Sequence, residues 1–173
     1  MRQMGVSILV TGPPRVGKTT LVRKVAAGLA HRGAVGFYTA EIRERGTRKG
    51  FDLVSLDGQR GLLSHVNVRG RHRVGRYGVD VEGFERFLDG IRWHAPDAPL
   101  VVIDEIGKME CFSGKFQSLV REILDADTPV LATVASKGGG LISEVKQRPD
   151  VDLIELTRDN RDSLAEEIVK RLG

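Results

Sequence analysis

Apolar residues follow two alternating rhythms along this chain. Short continuous apolar runs are interleaved with segments whose apolar positions recur three and four residues apart. Val6, Ile8, Leu9 and Val10, then Leu100–Ile103, then Val130–Val134 are runs of the first kind, and they predict strands covered on both faces. The second kind predicts helices. Leu21, Val22, Val25, Ala26 and Leu29 place one over 18–31, stopped by Gly33. Phe84, Phe87, Leu88 and Ile91 place another over 81–93, ending before Pro96. Phe116, Leu119, Val120, Ile123 and Leu124 follow a capping Ser113. Leu164, Ile168 and Leu172 form the apolar stripe of a terminal helix with Asn160 as its N-cap.

A different pattern occupies the segment between the first two helices. Residues 35–42 and 50–56 are β-rich around a Glu44-Arg45-Gly46 turn, and Asp57-Gly58 leads into a short strand near 60–63. This is a meander, and another short strand is expected within 74–81. Gly138-Gly139-Gly140 reads as a flexible loop and 152–156 as the last strand. The expected fold class is α/β: a mostly parallel sheet with helices on both faces and an antiparallel meander at one edge. With no repeat and no linker, residues 1–173 read as one domain.

The turn between the first strand and first helix carries the candidate chemistry. Gly12-Pro13-Pro14-Arg15-Val16-Gly17-Lys18-Thr19 fits G-x-x-x-x-G-K-[ST], the P-loop, and sits in the required strand–loop–helix order. Consecutive N–H groups curl around a phosphate there while the helix directs its positive end at it. Lys18 reaches the β- and γ-phosphates, the Thr19 hydroxyl ligates Mg²⁺, and Thr20 continues the cradle. A nucleoside triphosphate is the implied ligand.

Asp104-Glu105 follows the apolar run Leu100–Ile103, as in a Walker B segment. Asp104 is expected beside the P-loop, holding Mg²⁺ with Thr19, and Glu105 is expected to polarise an attacking water. Lys18 and Glu105 are therefore the candidate catalytic pair. Glu110 is a further carboxylate with three open roles: support for Lys108, an alternate base, or a surface acid. Cys111 reads as a small, partly buried residue rather than a nucleophile. An extra cation would steady the charge that develops during transfer, and Arg15, Lys137, Arg148 and Arg161 are candidates. Arg158, Asn160 and Arg161 follow the last strand, where the base is expected to lie. Asp104-Glu105-Ile106-Gly107 also fits the D-x-x-G of signalling GTPases, but no N-K-x-D accompanies it.

Charge and composition adjust this picture only slightly. Net charge is +4, and residues 41–76 hold nine basic side chains against four acidic ones. That segment would suit a polyanion, yet it lacks the interleaved aromatics of a base-stacking platform, so nucleic acid is possible but not favoured. No run approaches membrane-spanning length, residues 1–10 lack a signal-peptide layout, and a lone Cys111 fits a reducing cytoplasm. The oligomeric state is open, a monomer being the simpler expectation. Two other functions share the same phosphate cradle: a nucleoside or nucleotide kinase, with the arginines of 69–76 as a lid, and a nucleotide-gated RNA- or protein-binding module.

Six segments in this order carry a more specific signal: Gly12–Thr20, Gly36–Glu41, Lys49–Leu53, Arg73–Val81, Asp104–Glu110 and Thr157–Asp162. Together they resemble the thermophilic-type nucleoside-triphosphatase family over almost the whole chain. The resemblance implies a RecA-like P-loop sheet extended by antiparallel strands. It also implies Mg²⁺-dependent cleavage of ATP, GTP, CTP and UTP to diphosphate and phosphate. Gly12, Gly17, Lys18, Thr19, Asp104 and Glu105 match the family's motif positions directly. Arg15 departs from it, standing where that family usually has glycine.

Overall fold

The computed structural model describes residues 5–29 and 32–173. One nine-stranded sheet runs through the molecule. Strands β1 (Ser7–Thr11), β2 (Val35–Glu44), β7 (Val101–Ile106), β8 (Val130–Val134) and β9 (Val151–Glu155) are parallel, in the order β2-β7-β8-β1-β9. Beyond β2 the sheet continues antiparallel through β3 (Thr47–Ser55), β4 (Arg60–His65), β6 (Tyr77–Val79) and β5 (Arg73–Val74).

The continuous apolar runs are continuous because both faces are covered. Ile8 and Val10 of β1, Val102 of β7 and Leu131 of β8 face α1 (Lys18–Leu29) and α5 (Arg161–Leu172). Leu9, Val101, Ile103, Val130, Ala132 and Val134 face the other way. They pack against α2 (Val81–Asp89), α3 (Gly114–Asp125) and α4 (Leu141–Lys146). Successive strand residues thus alternate between two cores, and neither face can take a polar side chain without cost. Ring contacts fix the second core: Phe37 of β2 meets Phe84, Phe87 and Trp93 edge to face, with centroids 5.8–6.2 Å apart.

Local signals position the helices that frame the site. Ser113 caps α3 as expected: its Oγ accepts from the Phe116 N–H at 3.0 Å and donates to Glu85 of α2 at 2.8 Å. Asp80 caps α2 in the same manner, accepting from Gly83 N.

Several boundaries depart from the pattern-based reading. Val6 lies outside β1 and is exposed. The second helix stops at Asp89 rather than continuing to 93, because the chain turns at Gly90 to bury Ile91 and Trp93 as loop residues. The glycine run 138–140 is followed at once by α4, a short helix that the pattern did not announce. The last two residues expected in the first helix, 30 and 31, lie outside the described residues. Asn160 precedes α5, but its side chain does not cap the helix. Its Oδ1 accepts from Thr157 N at 2.8 Å and its Nδ2 donates to Glu155 O at 2.9 Å, so it braces the turn after β9.

Truncating the ring at the centre of the larger core tests this packing. Phe37→Ala, at a fully buried position, is expected to cost about 3–5 kcal/mol in urea unfolding.

Candidate active site

All five parallel strands end on one edge of the sheet, and the segments leaving β1, β7, β8 and β9 gather there. The chain leaves β1 for α1 on one face, and leaves β8 for α4 on the other. Connections that diverge in this way open a crevice at the strand ends, where α/β sheets bind ligands.

The P-loop bridges β1 and α1. Gly17 takes φ +113°, a value an L-residue rarely adopts, so its lack of a Cβ is required there. Arg15 takes φ +66°, in the left-handed region, without being glycine. This gives the departure seen in the sequence a physical content: the backbone at Arg15 has the shape glycine would hold without strain. The Arg15 side chain is exposed. Lys18, its side chain 11% exposed, folds over the loop: Nζ donates to Gly12 O at 2.9 Å and lies 3.4 Å from Glu105 Oε2.

Asp104 does not sit on a strand adjacent to β1, since β8 lies between. The contact with the P-loop is nonetheless direct. Asp104 Oδ2 accepts from Thr19 Oγ1 at 2.9 Å, and Oδ1 accepts from Thr133 Oγ1 of the intervening β8 at 2.7 Å. From β2, Thr39 adds its N–H at 3.4 Å and its hydroxyl at 3.5 Å to Oδ2. Pairing between β7 and β8 is irregular between Ile103 and Ile106, which leaves both acids outside the regular ladder. Burial pushes the Asp104 carboxyl above the ordinary carboxylate range, against the opposing pull of Thr133 and Thr19. Glu105 is raised for the same first reason, with Lys18 pulling it down and Asp104 pushing it up.

Thr39 and Thr133 escaped the sequence reading. Thr133 was visible as a polar residue within an apolar strand, and Thr39 as the hydroxyl in Gly36–Glu41. Neither signal names its partner until the strands are ordered.

Glu110 belongs to a short 3-10 turn, Glu110–Phe112, and is 4% exposed, so it is not a surface acid. Its Oε2 has no hydrogen-bond partner among the described residues. Burial first, then the nearby charges of Glu105 and Asp104, hold its carboxyl well above the usual range. Cys111 is half-buried and its thiol is pushed up to about 12 by that burial and by Glu110, which removes it as a nucleophile at neutral pH.

The candidate cations separate cleanly. Arg148 is not available to the site: it is held by Asp125 at 2.9 Å, by Asp150 and by the Leu124 carbonyl. Arg161 opens α5, while Lys137 follows β8; both are exposed. The arginines of the antiparallel extension are largely committed to it. Arg43 pairs with Glu41 at 2.8 Å, Arg48 donates to Tyr77 at 2.9 Å, and Arg73 and Arg76 donate to backbone carbonyls.

A hydroxyl and a carboxylate oxygen 2.9 Å apart form a hard-oxygen pair suited to Mg²⁺. Among the described residues no cluster of three or more His, Cys, Asp or Glu could hold a metal.

Fold and site together define a P-loop protein with its acidic strand one position removed from the loop strand. The model of the family described as NTPase matches residues 7–169. The chain is 42% identical over 168 residues to nucleoside-triphosphatase THEP1 of Thermotoga petrophila, covering 95% of this chain and 91% of that one. It is 41% identical over 182 residues to the cancer-related nucleoside-triphosphatase of Homo sapiens, covering 96% of each. The crystal structure of THEP1 from the hyperthermophile Aquifex aeolicus superposes with a TM-score of 0.85 at 37% identity, over 97% of this chain and 99% of that one. The chain belongs to this nucleoside-triphosphatase family.

Two measurements follow from the site's energetics. Arg15→Gly removes a left-handed L-residue and is expected to raise stability by up to about 1 kcal/mol in nucleotide-free urea unfolding. Glu110 is raised in the folded state, so the folded protein holds its proton where the unfolded chain has lost it. Its contribution is therefore full below the ordinary carboxylate range and is lost as pH rises from there towards the raised value. Thermal melts should show the Tm of Glu110→Gln, which cannot ionise, gaining on wild type as pH is raised through that window.

Proposed function

We propose that this chain is a Mg²⁺-dependent nucleoside-triphosphatase of broad base specificity, converting ATP, GTP, CTP and UTP to the diphosphate and phosphate. One observation carries the reading: Lys18 Nζ and the Glu105 carboxylate lie 3.4 Å apart at the P-loop, next to the Thr19–Asp104 pair. A phosphate-gripping cation, a base and a metal-binding pair thus share one crevice. The same reading treats residues 1–173 as one domain.

In this mechanism residues 12–20, from Gly12 through Pro13, Pro14, Arg15, Val16, Gly17, Lys18 and Thr19 to Thr20, hold the phosphates. Lys18 exchanges its contact with Gly12 O for the β- and γ-phosphate oxygens. Thr19 and Asp104 would hold Mg²⁺, which when bound neutralises charge on those oxygens. Glu105, one-third exposed, takes a proton from a water as that water attacks the γ-phosphorus in line. Burial raises its basicity, which suits it to that proton.

Broad specificity has a structural rationale. Asn160 spends its side chain on Thr157 and Glu155, leaving exposed Arg158 and Arg161 to border the base. Their guanidinium planes can stack on the face of any base, a contact that does not depend on base identity. The kinase alternative needs arginines free to close over an acceptor, whereas two of the four in 69–76, Arg73 and Arg76, are tied to backbone carbonyls.

Phosphate release from the four common triphosphates, with and without Mg²⁺ and with no acceptor present, is the direct test. Lys18→Ala is expected to lose turnover. Glu105→Gln should bind Mg²⁺-nucleotide nearly as wild type while kcat drops by about 10²-fold or more. Wild-type turnover in Glu105→Gln would remove Glu105 as the base.

A further inference from the structure

Two carboxylate oxygens next to the proposed reaction centre are left open among the described residues, besides the hydroxyl of Thr11 at the end of β1. One is Glu110 Oε2, which is buried and has no hydrogen-bond partner among the described residues. The other is Glu105 Oε1. Lys18 takes Oε2 of that carboxylate, and among the described residues no donor reaches Oε1. The Asp104 oxygens, by contrast, are both engaged, Oδ1 by Thr133 and Oδ2 by Thr19 and Thr39.

The chain brings the two open oxygens onto one turn. Glu105 Oε1 lies against Gly107, 2.7 Å from where a Cβ on that residue would stand. The Gly107 carbonyl accepts from Cys111 N at 3.0 Å, so the backbone folds Glu110 back towards Gly107. The turn is fixed from its far side as well, since Ser113 N donates to Glu110 O at 3.1 Å and Ser113 Oγ binds Glu85 of α2. A buried polar atom without a partner is costly, and native structures keep few of them. Here the orphan belongs to a carboxyl whose nearest charged influences are the two site acids.

We propose that Glu110 is a positioning residue for hydrolysis: its carboxyl, acting as a hydrogen-bond donor from Oε2, orients the Glu105 carboxylate towards the attacking water. The inference rests on the hydrolytic reading above and adds to it a second carboxyl with the opposite task. Glu105 works as the base and must be ionised; Glu110 works as the donor and must carry its proton. Burial favours the neutral form of Glu110, because an ionised group there would be unsolvated and close to two other acids. No proton is transferred from Glu110 during the reaction. The water's O–H bond breaks to Glu105, the new P–O bond forms, and the bond to the leaving diphosphate breaks.

The test is a kinetic series at Glu110, with melting temperatures measured alongside. Glu110→Met replaces a buried, incompletely bonded acid with an apolar side chain of similar size, which preserves or raises Tm. The same variant should lose kcat by about tenfold or more with KM unmoved, the size expected for one hydrogen bond to a charged group. Glu110→Gln keeps an N–H donor and should recover most of that loss. Glu110→Asp keeps the acid, shortens its reach by one methylene, and should lose kcat as the Met variant does; it serves if Met fails to fold. Stability and turnover moving together, or full kcat in either the Met or the Asp variant, would overturn the proposal. If the wild-type protein hydrolyses triphosphates and these variants match it, only the role of Glu110 falls. If wild type with Mg²⁺ releases no phosphate, the hydrolytic reading falls and this one with it.

Discussion

The buried carboxylate of Asp104 is the joint on which this molecule turns. It is almost fully enclosed, yet it accepts hydrogen bonds from three separate elements: Thr19 at the start of α1, Thr133 on β8 and Thr39 on β2. A carboxylate taken out of water must be repaid by donors, or it protonates. In the strand order present, β8 lies between β1 and β7 with β2 on the far side, and that order brings these donors within reach. The demand of one buried charge is thus met by the topology of the parallel sheet. A metal ion shared with Thr19 would answer the same demand with a stronger partner.

The same edge of the sheet concentrates the molecule's local violations of ordinary rules. Arg15 holds a left-handed backbone, Asp104 and Glu105 sit outside the regular ladder, and Glu110 is an acid in an apolar turn. In the cores on either side of the sheet the apolar side chains alternate face by face and the Phe37 contacts are edge to face, although the buried Ser64 hydroxyl of β4 also lacks a partner among the described residues. Strain and unsatisfied groups persist only where surrounding structure holds them. Here the surround is a parallel sheet covered on both faces, rigid enough to keep three acids close together. The antiparallel extension is built on another principle, with arginines spent on Glu41, Tyr77 and backbone carbonyls. That use accounts for much of the positive charge that the sequence alone left free to suggest a polyanion.

Much of the architecture was legible in the chain, because it depends on periodicities that survive without tertiary context. A strand covered on both faces must be apolar throughout, and Leu100–Ile103 and Val130–Val134 say so directly. A helix covered on one face must repeat every three to four residues, and α1, α3 and α5 do. The loop between β1 and α1 is legible for a related reason: its backbone takes φ +113° at Gly17, where a Cβ is disfavoured, so the local sequence fixes the shape on which the proposed phosphate grip rests. Glu110 was visible as an acid but not as a buried one, since nothing in Met109-Glu110-Cys111 fixes which side of a turn faces the core. Asn160 looked like a helix cap and proved to brace a turn, because its side chain could satisfy the backbone in either direction and only the position of Glu155 decided between them. The sequence by itself determined most of the elements, the glycine-bearing loop after β1 and the place of the acids at the end of the central strand, since each rests on interactions between residues near one another in the chain. Only the tertiary structure decided that Thr39 and Thr133 would hold Asp104, that Arg148 would be lost to Asp125 and Asp150, and that Glu110 would lie enclosed near Glu105. Those outcomes depend on strand order and burial, which arise when distant segments compete for the same space.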